Sequence, residues 1–321
     1  MAFRRKQNRV PAKKKQTPRD ILLKPDDLAR LRHLELVASR VVDGLHSGRH
    51  RSRLRGGSAE FSEHRAYNPG DNTRLLDWHA YGKTDRYYIK LYDEDTQLNA
   101  LLLLDASASM GCSISAESKF DYAAKAAACL ARLILTHRDS VGLAVTGLDN
   151  IEFLPPKSRP TYLDVILRNL VAAQPTGGDS PLGLALDNLL KRLRRRTSLF
   201  IFTDGFTDLV TLRQSLRTLR ARGHDATLFH TLAPEEIDFA FTDPVRFESL
   251  DAPGHTIDLD PVSYRDIYHE RLHAFTDKLR HICRESACEF TTLVPGQPLG
   301  EALARYLKSR LARAGARAAP R

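Results

Sequence analysis

The sequence predicts an α/β protein with a doubly wound, mainly parallel sheet and helices on both faces. Short apolar runs of strand length alternate with segments of helical period along most of the chain. The strongest runs, 98–104 and 199–203, are almost unbrokenly apolar, as strands covered on both faces are. Each of these two runs ends abruptly in a carboxylate, Asp105 and Asp204.

Taken in order, Pro25, Asp26 and Asp27 mark a helix start, and Leu28, Leu31, Leu34, Val37 and Val41 form one apolar stripe for docking. Residues 86–92 alternate as a strand expected to pair with the run 98–104. A helix follows from about Lys119, with Phe120, Ala124, Ala127, Ala131 and Ile134 on one face. Segments 140–146 and 151–154 read as strands joined by a Gly-Leu-Asp-Asn turn. Helices are expected near 161–172 and 181–193, then the strand 199–203. Leu209, Leu212, Leu216 and Leu219 mark another helix, and 226–232 another strand. Residues 234–260, with Pro234, Pro244, Pro253, Phe239, Phe241 and Phe247, break the rhythm and suggest a strand-rich excursion. Its aromatics would serve binding if exposed and packing if buried. A helix over 261–283, a strand over 288–294 and a helix carrying Leu299, Leu303, Leu307 and Leu311 close the chain.

The 321 residues divide on this reading into a basic, disordered arm (1–20), an N-terminal helix with a charged segment (21–97), the α/β domain (98–315) and a basic tail (316–321). The net charge of +10 is located at the ends. Residues 1–20 hold eight Lys/Arg and one acid, and 305–321 hold six Lys/Arg and none, so the body between them is mildly acidic. Such arms allow weak contacts with anionic surfaces, which keeps a nucleic-acid-associated protein as the alternative functional class. No run reaches the roughly 20 apolar residues that span a bilayer, and no signal peptide is recognisable, so a cytoplasmic protein is expected. Cys112, Cys129, Cys283 and Cys288 match no zinc or redox spacing, and His46 and His50 stand among basic neighbours unsuited to a metal.

The chemistry concentrates at Asp105-Ala-Ser107-Ala-Ser109. One carboxylate and two hydroxyls on the loop leaving a buried strand offer only oxygens, which suits a hard divalent cation such as magnesium or manganese. Asp204-Gly205 ends a second strand, and Thr176-Gly-Gly-Asp179-Ser180 runs into an apolar helix between the two. The set resembles the metal-ion-dependent adhesion site of von Willebrand factor A domains. That resemblance implies Asp105, Ser107, Ser109, Ser180 and Asp204 as the metal site, Ser180 standing where that family has threonine. Asp179 is the alternative third-loop ligand.

Upstream, Glu60-Phe61, Arg65-Ala-Tyr67, Gly70-Asp71, Arg74 and Asp77-Trp78 resemble the signature of the bacterial domain-of-unknown-function-58 family, in which it precedes a von Willebrand A-like domain. The resemblance implies a sheet of von Willebrand A type with the N-terminal helix and charged segment packed against it. Because family genes often neighbour those of MoxR-type AAA+ ATPases, it further implies such an ATPase as partner in protein assembly or maturation. Physically, Glu60, Asp71 and Asp77 can pair with Arg65 and Arg74, either as a brace or as a docking surface, and Trp78 is expected to anchor the segment on the main sheet. An enzyme is not expected. Dehalogenase-type phosphoryl transfer needs an acid where Ser107 stands, and neither a nucleotide-binding P-loop nor a Gly-x-Ser-x-Gly elbow is present. The reading is a non-enzymatic, magnesium-dependent interaction module, with a metal-free scaffold of the same fold as a further alternative.

Overall fold

The computed structural model describes residues 29, 32–33, 35–42, 61–67, 76–92, 98–112, 117–146, 151–175, 182–241, 245–248 and 256–318. Its centre is a six-stranded sheet of β3 (Asn99–Asp105), β4 (Ser140–Thr146), β5 (Glu152–Lys157), β6 (Ser198–Thr203), β7 (Asp225–Thr231) and β10 (Glu289–Leu293). The strand order is β10-β7-β6-β3-β4-β5, and every pair is parallel except β4 with β5. The chain therefore builds outwards from β3 through β4 to β5, then returns to the other side of β3 with β6 and continues to β7 and β10. The direction of strand addition reverses between β3 and β6, and ligands of open α/β sheets bind outside the carboxyl ends of the strands at such a reversal.

Period-two alternation divides the core into two layers. Leu102, Leu104, Leu143, Phe200, Phe202 and Phe229 join one cluster, with α3 (Lys119–Thr136), α4 (Tyr162–Ala172) and α9 (Leu299–Ala318) over it. Leu101, Leu103, Leu199, Ile201 and Leu228 join the other, under α5 (Leu182–Arg192), α6 (Leu209–Ala221) and α8 (Pro261–Glu285). Leu101 to Leu104 are wholly buried, each contributing about 1.5–3 kcal/mol of apolar transfer. The helix described over 35–42, α1, buries Ala38 and Val42 and lays Val37 and Val41 on the first layer, as the apolar stripe implies. Leu28, Leu31 and Leu34 lie outside the described residues.

One expectation fails for a reason of topology. β2 (Tyr88–Tyr92) pairs antiparallel with β1 (Phe61–Ala66) rather than with β3, because both edges of β3 are taken by β4 and β6. The excursion after β7 begins as a short helix, α7 (Pro234–Asp238), since Pro234 and the acids Glu235 and Glu236 suit a helix start. Only then comes the two-stranded pair β8 (Val245–Glu248) and β9 (Thr256–Leu259). Phe239, at its hinge, is buried and stacks on Tyr268, so this aromatic is packing. Among the described residues no helix is long and apolar enough to cross a membrane.

Candidate functional site

Four of the sequence-predicted ligands, Asp105, Ser107, Ser109 and Asp204, stand at or just beyond the carboxyl ends of β3 and β6, where the strand order reverses. Asp105 is the last residue of β3, paired in register with Thr146 of β4, and Asp204 follows β6 directly. Asp105 is not a surface group, as a loop carboxylate would be, but fully buried. Its Oδ2 accepts from the Thr203 hydroxyl at 2.7 Å, and its Oδ1 accepts from the Ser107 amide at 3.1 Å and the Thr146 hydroxyl at 3.4 Å. Thr203 Oγ1 in turn accepts the Gly205 amide at 2.9 Å, so the ends of β3 and β6 are tied through one hydroxyl. Gly205 sits at φ +78°, and an added Cβ there would stand 2.7 Å from Leu279. Glycine is needed on both counts.

Beyond Asp105 the chain makes one 3-10 turn, Ala108–Gly111, which brings the Ser107 and Ser109 hydroxyls to 3.2 Å from each other. Adjacent ligands of an octahedral magnesium ion with ~2.0–2.1 Å bonds are about 3 Å apart, so the two serines fit neighbouring positions on such an ion. Asp105 is oriented beside them. Ser180 and Asp179, the third-loop ligands, lie outside the described residues.

Asp204 makes an ion pair that the sequence reading missed. Its Oδ2 is 2.9 Å from Lys119 Nζ, whose side chain is only 1% exposed, and the same ammonium is 2.7 Å from Glu236 Oε1. Burial opposes the charge on Lys119, but Asp204 and then Glu236 outweigh it and raise the lysine pKa. Asp204 Oδ1 accepts the Phe206 amide at 3.2 Å, and the Asp204 carbonyl accepts from His230 Nε2 at 2.9 Å. Burial pushes the His230 pKa down to about 4, so the ring is neutral. Among the described residues no three Asp, Glu, His or Cys side chains gather as a metal cluster. An adhesion-type site differs from such a cluster, being built from hydroxyls around few carboxylates. A signal for Lys119 did exist: a lysine opening a helix faces the positive end of the dipole and needs a specific partner.

The signature segment is described in part. Asp77 is buried at the start of α2 (Trp78–Thr84), its carboxylate accepting the Ala80 amide at 3.2 Å. Trp78 does not anchor on the main sheet. It is 66% exposed and meets Tyr81 edge-on, because the capping Asp77 turns inward and the next residue faces out. Tyr67 packs edge-on against Tyr87, which stacks on Tyr81. Phe61 and Arg65 belong to β1, but their side chains, with Glu60, Gly70, Asp71 and Arg74, lie outside the description, and so does the arginine–carboxylate brace.

The family described as "Protein of unknown function DUF58" matches residues 63–273. The chain belongs to this family. The DUF58 chain is 28% identical over 216 residues to "Uncharacterized protein Rv1480" of Mycobacterium tuberculosis, covering 67% of this chain and 68% of that one. Among solved structures, the conserved hypothetical protein BatB of Bacteroides thetaiotaomicron aligns with TM-score 0.45 and 16% identity, over 67% of this chain and 99% of BatB. The SpRpn10 VWA domain aligns with TM-score 0.38 and 14% identity, over 65% of this chain and 94% of that domain. For the DUF58 chain itself, the von Willebrand A-like architecture stands on the family match, the strand order and the loop at the end of β3.

Proposed function

We propose that the carboxyl ends of β3 and β6 form a magnesium- or manganese-dependent adhesion site, in the strand-end crevice where ligands of such sheets bind, and that the chain is a non-enzymatic module holding a carboxylate of a protein partner. The observation that carries this reading is the placement of Asp105, Ser107, Ser109 and Asp204 at the single reversal of strand order. Ser107, Ser109 and Ser180 would hold the ion directly, with Asp105 and Asp204 direct or through water. The ion would supply one coordination position for the partner's carboxylate. The fold supports this use, since Phe206 and Val210, just beyond Asp204, expose apolar surface beside the crevice. The partner proposed is a MoxR-type AAA+ ATPase, on the strength of the family resemblance, in protein assembly or maturation.

The test is capture of that ATPase by the full chain with magnesium and with chelator, alongside thermal melts of the chain alone. Magnesium is expected to raise the melting temperature by linkage and to be required for capture. Capture indifferent to magnesium and to Asp105→Ala would sink the proposal. The Lys119–Asp204 pair favours a second reading, a metal-free scaffold of the same fold, because an ammonium already balances that carboxylate. Under it, magnesium changes neither melting nor association.

A further inference from the structure

Lys119 is placed where a cation is doubly costly. It is buried, and it occupies the first position of α3, where the helix dipole repels positive charge. Its ammonium nevertheless spans two carboxylates from distant parts of the chain, Asp204 at the end of β6 and Glu236 in α7. It also lies 5.5 Å from the centre of the Phe206 ring, on the loop that leaves Asp204. Glu236 is itself held, because its other oxygen accepts the Ala233 amide at 2.7 Å. The helix start would fold without this lysine: Ser118 caps α3 by accepting the Asp121 amide at 3.0 Å. What the lysine changes is the charge of the strand-end crevice. Asp204, Lys119 and Glu236 together carry one negative charge, where the two acids alone would carry two.

We infer that Lys119 is a tethered counter-cation of the adhesion site, competing with a divalent ion for Asp204 and lowering the affinity of the crevice for metal. This rests on the metal-site reading given above. A metal held less tightly by the protein's own charges keeps more of its pull for a partner's carboxylate. Because the same ammonium holds Glu236, metal arriving at Asp204 loosens the tie between the crevice and α7. The site and the start of the 234–260 excursion are thereby coupled.

The experiment is magnesium titration of the full chain, followed by thermal shift and calorimetry, in wild type, Lys119→Gln and Glu236→Gln. A purely structural ion pair would weaken or leave unchanged magnesium binding in both variants. A competing counter-cation moves them in opposite directions. Lys119→Gln should bind magnesium at least ~tenfold more tightly, the effect that a unit charge a few ångströms from a divalent ion has even at the dielectric of water. Glu236→Gln should bind it more weakly, because the ammonium is then less neutralised. Unchanged or weaker binding in Lys119→Gln, with wild-type binding intact, overturns the inference. If Lys119→Gln does not fold, Glu236→Gln, whose glutamate is partly exposed, still tests the inference, since unchanged or tighter binding there overturns it. Absence of binding in wild type and both variants instead overturns the metal-site reading, whereas binding gained only in Lys119→Gln supports the inference.

Discussion

Replacing Asp105 by alanine sets two large terms against each other. The substitution removes two good hydrogen bonds to a charged acceptor, from Thr203 at 2.7 Å and the Ser107 amide at 3.1 Å. At ~1.5–3 kcal/mol each these amount to roughly 3–6 kcal/mol, and the Thr146 contact at 3.4 Å adds little. Against this, a fully buried carboxylate carries a desolvation cost of several kcal/mol, which the variant no longer bears. The net change is expected to stay within about 3 kcal/mol. At ~2–4 °C per kcal/mol for a domain of this size, the variant should melt within about 10 °C of wild type in chelator. Magnesium at tenfold excess over its dissociation constant should add ~1.4 kcal/mol to wild type by linkage, and nothing to the variant. The assay is a pair of thermal melts by circular dichroism, with and without magnesium. A variant that keeps the full magnesium shift, or one that no longer unfolds cooperatively, would refute this reasoning, the latter by making Asp105 a structural residue.

Three further outcomes are expected. Gly205→Ala should lower the melting temperature by several degrees in chelator, since a φ of +78° and a 2.7 Å approach to Leu279 together cost roughly 1–3 kcal/mol; an unchanged melt would show that the loop can shift freely. Buried His224 has its pKa lowered by burial, then by Arg222, and its Nδ1 accepts the Thr197 amide at 3.1 Å, so the folded state holds it neutral. A folded pKa below the unfolded value of ~6.5 makes the full stability present above that pH and lost as pH falls below it; His224→Gln should flatten part of this slope in melts below pH 6.5, and an identical slope would remove His224 from the account. Trp78→Ala should leave the melting temperature within about 1–2 °C, because the ring is 66% exposed, and a large loss of stability would return Trp78 to an anchoring role.

Much of this molecule was legible in local pattern. The lengths and composition of the runs ending at Asp105 and Asp204 determined two central strands, and the Asp-x-Ser-x-Ser spacing determined which oxygens leave the first of them. The apolar period from Phe120 to Ile134 determined α3. These are properties of neighbours in sequence, set by a repeat of two or 3.6 residues against a buried surface. Pairing between distant segments is different. That β2 joins β1 was decided by β4 and β6 occupying both sides of β3, and no feature of residues 86–92 encodes that competition. The exposure of Trp78 followed from the inward turn of its neighbour Asp77. The tie from Lys119 to Asp204 and Glu236 crosses sequence separations of 85 and 117 residues. Only the fold brings those three charges together, where the buried Lys119 and Asp204 are tolerated because their opposite charges are there.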